Sequence, residues 1–298
     1  MKNKLITIWV QLRDLYLYFF SHALIVNGYV DDRTWKGIRH RNWGDDLNYY
    51  FLQMITGRPV VMYHSFKLAQ WLHLKNYLCI GTLLDAENYS NKQTIVWGAG
   101  VSGQDRDFII PHKMCAVRGY KTIDFLKNRN YPHPIVVGDP ALLLPRFYEP
   151  KFRGEKKLWE FKIGIIPHVI DLKHPIVEEI RKNHPKILII DLAHYKKWTD
   201  VIDHICSCDM ILSSSLHGLI VSDAYSIPNC WIELSGKVLA GYFKYQDYGV
   251  SVKRELVRPL RIENFSDIKL AQKQCLQWTK PEINTNALLA VCPFKIRS

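Results

Sequence analysis

Short runs of Ile, Val and Leu alternate along this chain with longer segments of helical spacing. That alternation constrains the fold more than any other feature. The runs "ALIVNG" (23–28), "PVVMYH" (59–64), "YLCIGTLL" (77–84), "TIVWGAG" (94–100), "KMCAVRG" (113–119) and "PIVVGDPALLL" (134–144) read as buried strands. The polar run 145–161, "PRFYEPKFRGEKKLWEF", then reads as a linker. Beyond it the rhythm restarts. "KIGIIPHV", "KILIIDLA", "DMILSSS" and "NCWIELS" are expected strands, and "PIVEEIRKN", "KKWTDVIDHICSC" and "HGLIVSDAYSI" expected helices. Near-continuous apolar strands separated by helices imply parallel sheets covered on both faces. The expectation is therefore α/β: two Rossmann-like parallel-sheet domains facing a cleft, with ligands at the carboxyl ends of the strands. The expected layout is an amphipathic helix over 1–20, an acceptor-side domain over 21–150, a donor-side domain over 151–265, and a helix and tail over 266–298 that packs back on the first domain.

Composition narrows the partners. Forty Lys and Arg against 28 Asp and Glu leave a net charge of +12, which suits anionic partners such as phosphorylated substrates or anionic lipid surfaces. Zinc-finger spacing and RNA-binding aromatic signatures are missing from the sequence, so no nucleic-acid partner is expected. Seven scattered cysteines without framework spacing point to reduced thiols and a cytoplasmic chain, and no metal is expected. The segment "LYLYFFSHALIVNGYV" (15–30) is too short to span a bilayer and lacks a signal-peptide cleavage pattern. Residues 3–20 read as a helix that is either an ordinary core or surface element or a peripheral anchor, since Trp9, Tyr16, Tyr18, Phe19 and Phe20 suit a membrane interface.

Chemistry-bearing residues gather at expected strand ends and helix starts. In "NWGDDLN", Asp45 or Asp46 is expected to cap a helix; the spare groups of Asp45, Asp46 and Asn48 suit sugar hydroxyls, and one carboxylate could act as a base. "VWGAGVSGQD" has three glycines that let backbone approach a ligand, but not the spacing of a dinucleotide fingerprint, so no nicotinamide cofactor is expected. Arg118 follows an expected strand, where it is either a surface side chain or a fork for carboxylate or phosphate. His168 ends another strand. In "SSSLHG", the serine hydroxyls and the first-turn amides near Ser214 to His217 make an anion site at a helix start, with His217 able to exchange protons there. Asp223 is expected to orient or cap, and "GYFKYQDYGVSV" to form a lid bearing Lys244, Tyr245 and Asp247.

Taken in order, "NWGDDLN", "WGAG", "VRG", "VGDPALLLP", "IIPH", "SSSLHGLIVSDAYSIPN" and "KYQDYG" resemble the polysaccharide pyruvyl transferases, over residues 42 to 249. The resemblance implies a two-domain fold similar to the glycosyltransferase-B class. It also implies transfer of the pyruvyl unit of phosphoenolpyruvate onto two hydroxyls of one sugar, giving a cyclic ketal and phosphate. No cofactor is implied beyond phosphoenolpyruvate as co-substrate. His217 matches the family's histidine, the expected general acid/base, and Arg118 the arginine expected to grip the donor. Some members carry arginine two residues before that histidine, where this chain has Ser215; His168, Lys244 and the helix amides, with Ser214, Ser215 and Gly218, are the candidate substitutes. The acceptor is expected to be a lipid-linked precursor of capsule or exopolysaccharide at the inner face of the cytoplasmic membrane. Two alternatives share the pattern: a nucleotide-sugar glycosyltransferase, with Glu233 holding a ribose, and a non-catalytic scaffold for capsule assembly.

Overall fold

The computed structural model describes residues 2–34, 37–151, 161–237 and 241–297. Most of the expected linker, 152–160, lies outside the described residues. The chain divides into two compact units, Met1–Pro140 with Asn284–Ser298, and Ala141–Ile283. Residues 141–150 and 266–283 thus belong to the second unit.

The first unit runs α1 (Lys2–Phe20), β1 (Leu24–Asn27), α2 (Trp43–Thr56), β2 (Val60–Met62), α3 (Lys67–Trp71), β3 (Tyr77–Leu78), β4 (Ile95–Trp97), β5 (Lys113–Ala116) and α4 (Tyr120–Asn128). The second runs β6 (Phe161–Ile166), α5 (Pro175–Asn183), β7 (Ile187–Ile189), α6 (Trp198–Cys206), β8 (Cys208–Ser213), α7 (Leu216–Ala224), β9 (Asn229–Glu233), α8 (Phe243–Ser251), β10 (Leu260–Arg261) and α9 (Phe265–Cys275). The last helix, α10 (Thr285–Ala290), rejoins the first unit, where the Trp97 indole donates to the Leu288 carbonyl at 3.0 Å.

Both sheets are five-stranded and parallel, ordered β2-β1-β3-β4-β5 and β10-β9-β8-β6-β7. Counted within each unit, the two orders are the same, 2-1-3-4-5. In such a doubly wound sheet the order reverses between the first and third strands, and ligands bind beyond their carboxyl ends at that switch point. The switch points here are β1/β3 and β6/β8.

Several strands are shorter than their apolar runs suggest, for local reasons. "YLCIGTLL" forms a strand only over Tyr77–Leu78, because Asn48 takes both backbone groups of Ile80 and Gly81 turns the chain at φ +116°. "PIVVGDPALLL" is not a strand. Val137 makes a single bridge to Val117, Gly138 sits at φ +149°, and Pro140, with no N–H for a ladder, opens a 3-10 turn over Pro140–Arg146. The two-residue strand β10, which extends the second sheet at its edge, had no apolar run to announce it.

Candidate functional site

In the second unit, β6 and β8 lie side by side, pairing Ile166 with Ser213 at their carboxyl ends. The chain leaving β6 reaches His168; the chain leaving β8 enters α7 through Ser214 and Ser215. Ser214 ties the two together: its Oγ accepts from the His168 amide at 2.8 Å, and its own amide donates to the Ile166 carbonyl at 3.0 Å. A third element joins through Tyr245 of α8, whose hydroxyl donates to the Ser214 carbonyl at 2.8 Å. Ser213 shapes the turn, its Oγ accepting from the Ser215 amide (3.0 Å) and donating to the Ser215 carbonyl (2.8 Å). Gly218 is what lets the first turn of α7 settle on this serine. A Cβ there would fall well inside van der Waals distance of Ser213 Oγ and 3.0 Å from Ile166 Cδ1. Gly218 is a packing requirement of the turn.

Ser215 is the N-cap of α7 and makes no capping bond with its side chain, so its hydroxyl does not claim the first-turn amides. His217 stands in that turn, nearly buried, and every residue of α7 from Leu216 to Asp223 is buried. The helix is anchored at its other end. The Asp223 carboxylate accepts from Arg254 Nη1 (2.5 and 2.6 Å), the Tyr248 hydroxyl (2.7 Å), Asn229 Nδ2 (2.7 Å) and the Trp278 indole (3.0 Å). Asp223 is a structural hub, more than the orienting or capping role expected from the sequence.

His168 Nδ1 accepts from the Ile170 amide at 3.4 Å, which places the ring proton of the neutral form on Nε2. Burial pushes this histidine down to about 4; Lys244 pushes the same way, and Asp171 opposes. His168 is therefore a neutral donor at neutral pH, not the extra cation expected from the sequence. The cation here is Lys244, half-buried, with Nζ 5.2 Å from the centre of the Tyr245 ring. Tyr245 is buried and stacked on Trp231 at 4.3 Å, and burial raises its phenol. The segment carrying Lys244, Tyr245 and Asp247 is thus the packed helix α8 and not a lid: Tyr245, Asp247, Tyr248 and Gly249 are all buried. Asp171 was not singled out in the sequence, although it follows His168 by three residues in "IIPHVID". It is buried, and its Oδ2 makes no hydrogen bond. Glu233, at the end of β9, accepts from the Tyr242 hydroxyl at 3.2 Å.

In the first unit, α2 is capped by Asn42, whose Oδ1 accepts from the Gly44 amide (3.3 Å), and not by Asp45 or Asp46. Asn48 is fully buried and committed: Nδ2 donates to Ile80 O (2.7 Å) and Asp45 O (3.1 Å), and Oδ1 accepts from Ile80 N (2.9 Å). It pins the end of β3 to α2 and has no face toward a ligand. Asp46 is also fully buried, and its charge helps push Tyr50 up to about 12, behind the larger effect of burial. Asp45 alone of the three keeps an exposed edge; Oδ2 accepts from Asn42 Nδ2 at 2.8 Å, and its charge raises the phenols of Tyr29 and Tyr89 after burial does. Those two rings meet at 5.0 Å, and His64 stacks on Tyr89 at 6.3 Å. His64 is held by Asn27 Oδ1 at 3.2 Å, while Asn27 Nδ2 donates to the Tyr89 carbonyl at 3.0 Å. This aromatic group at the ends of β1 and β2 comes from residues far apart in sequence and was not read from it.

Arg118 is 0% exposed. Its guanidinium donates to Thr82 Oγ1 (2.8 Å) and Val101 O (3.0 Å), and a Cβ on Gly100 would lie 2.5 Å from its Cζ. Through these bonds Arg118 ties together the loops that follow β3 and β4. Of the three loop glycines, Gly98 packs against Pro140 and Gly100 against Arg118, so these two make room for the chain itself. Asp85 closes the same loop, accepting from the Ser102 amide at 2.9 Å and hydroxyl at 2.5 Å. Among the described residues no group of three His, Cys, Asp or Glu side chains is placed to hold a metal ion, and no helix is long and apolar enough to cross a membrane.

Two parallel-sheet, Rossmann-like units, the second with a serine-rich helix start at its switch point, define an α/β protein. The sequence profile of the polysaccharide pyruvyl transferases matches residues 12–236, and the chain belongs to that family. It is also similar to an uncharacterized protein of Acanthamoeba polyphaga mimivirus, 29% identical over 214 residues, covering 71% of each chain. A solved structure of an uncharacterized protein from Klebsiella pneumoniae covers 89% of this chain and all of its own, at 12% identity and a TM-score of 0.40.

Proposed function

We propose that the protein transfers the pyruvyl unit of phosphoenolpyruvate onto two hydroxyls of one sugar in a lipid-linked precursor of a cell-surface polysaccharide. The observation that carries this reading is the joining of His168, Ser214 and Tyr245 at the β6/β8 switch point, beside the first turn of α7 that bears His217. Family membership supplies the reaction class.

The donor's phosphate sits on the α7 first-turn amides, where the helix dipole favours an anion. The Ser214 hydroxyl, its oxygen accepting from His168, donates its proton to the phosphate; His168 Nε2–H and Lys244 complete the cradle. His217 is the acid that protonates the methylene carbon, leaving positive character on C2. The first sugar hydroxyl adds to C2. Phosphate then leaves with its bridging oxygen, and the second hydroxyl closes the ketal. Of the two hydroxyl protons released, one replaces that taken from His217 and the other leaves on phosphate, so the exchange balances. Stabilising the charge change at C2 between fixed dipoles is where such a site gains most of its rate. In the first unit, Asp45 receives sugar hydroxyls, with the Tyr29 and Tyr89 rings as an apolar platform. The glycosyltransferase-B-like pairing of the units, and Arg118 as a residue that sets loops rather than grips the donor, belong to the same proposal.

Thermal stability in the presence of ligands tests it. Phosphoenolpyruvate at ~100 times its dissociation constant adds about 2.7 kcal/mol, several degrees for a chain of this size. A shift with phosphoenolpyruvate and none with uridine, guanosine or cytidine diphosphates is expected. A shift with a nucleotide alone would move the assignment to a nucleotide-sugar glycosyltransferase, and a shift with neither would favour a scaffold.

A further inference from the structure

Helix α1 has two apolar faces, and the first unit uses only one. Val10 and Asp14 point inward. Gln11 bonds across to the Ser65 carbonyl and the Lys67 amide, and Tyr18 meets Phe66 edge-on at 5.8 Å. On the opposite face Leu5, Ile8, Leu12, Tyr16, Phe19 and Phe20 are each between 54% and 75% exposed. Their spacing of three, four, four and three residues, with Phe20 beside Phe19, puts them on one stripe of a 19-residue helix. At 1.5 Å per residue the stripe from Leu5 to Phe20 is about 22 Å long. Tyr16 and Phe20 are in ring contact at 5.5 Å, so the apolar surface is continuous at its C-terminal end.

Charge decides what covers the stripe. The acid of α1, Asp14, is buried and locked to Arg13 at 2.7 Å, so the outward face carries no negative charge. The whole chain is at +12. Two copies meeting along this stripe would bring like charges together, whereas an anionic bilayer would attract them. An aromatic, acid-free apolar face on a surface helix suits the boundary between headgroups and acyl chains in the plane of the membrane. We propose that the outward stripe of α1 docks the protein on an anionic membrane surface, in-plane and without crossing it. The inference rests on α1 and the charge of the chain, and stands whether or not the transferred group is pyruvyl.

Flotation of the full chain with vesicles of phosphatidylcholine, with and without ~30% phosphatidylglycerol, tests it at 0.15 M salt. Wild-type protein is expected to float with the anionic vesicles, and less so as salt is raised. The double variant Leu12→Glu/Phe19→Glu is expected to lose at least ~10-fold in partitioning, because it places charges where the stripe would insert. Both positions are exposed, so its melting temperature should match wild type, which separates lost docking from lost folding. Equal recovery on neutral vesicles, unchanged binding by the variant, or a dimer in light scattering that the variant dissociates without any vesicle binding would each overturn the assignment.

Discussion

Replacing Asp223 by alanine removes the acceptor on which four side chains from β9, α8 and the segments after α8 and α9 converge. Arg254 is only 12% exposed, and its Nη1 lies 2.5 Å from the carboxylate, so the variant leaves a guanidinium buried against Asn229 with its counter-charge gone. Breaking a buried pair from one side costs about 3–5 kcal/mol, most of it the desolvated partner. At about 3 °C per kcal/mol for a unit of this size, the melting temperature should fall by roughly 9–15 °C. Urea unfolding followed by circular dichroism gives the free energy directly. The double variant Asp223→Leu/Arg254→Met removes both charges and should recover more than ~1 kcal/mol of the summed single losses, because contacting residues are not additive. The same anchoring holds the far end of α7, so Asp223→Ala should also weaken ligand binding at the first turn. A loss below 1 kcal/mol for Asp223→Ala, or strict additivity in the double variant, would refute the hub.

His168 gives a pH prediction. Its folded value of about 4 lies below the ordinary 6.5, so between those values the unfolded chain binds more protons. Stability from this residue is therefore full above pH ~6.5 and is lost as pH falls toward 4, up to about 3 kcal/mol at 1.36 kcal/mol per pH unit. Asp171 and Lys244 are the charges facing it; a ring titrating near 6.5 by NMR in the free protein would contradict the burial argument. Gly218→Ala forces Ser213 out of its two bonds to Ser215 and should cost about 1–3 kcal/mol by overpacking, with a larger relative loss in ligand binding. Unchanged melting and binding in that variant would show that the turn is not set by this contact.

The sheets were legible because parallel strands buried on both faces announce themselves as apolar runs, and the serines marked the start of α7 correctly. Burial was not legible. An arginine after a strand looks the same in sequence whether it meets a ligand or, like Arg118, is enclosed by Thr82, Val101 and Gly100. The burial of Asn48 and Asp46 was hidden for the same reason: a polar residue near a helix start can as readily tie down the neighbouring strand, as Asn48 does, as face a sugar. Asp223 was read only as orienting or capping because its partners Tyr248, Arg254 and Trp278 lie 25 to 55 residues away. The expected strand at 134–144 failed where glycine and proline chemistry overrode an apolar run.

The central claim is that the first turn of α7 holds the phosphate of phosphoenolpyruvate with His217 beside it. Calorimetric titration of phosphoenolpyruvate into the wild-type chain and the Lys244→Met and His217→Asn variants tests it most directly. Saturable binding in wild type, weakened ~10-fold or more by Lys244→Met and largely kept in His217→Asn, is expected if lysine holds the donor while histidine moves the proton. Absence of binding in wild type, or binding indifferent to Lys244, would contradict the account.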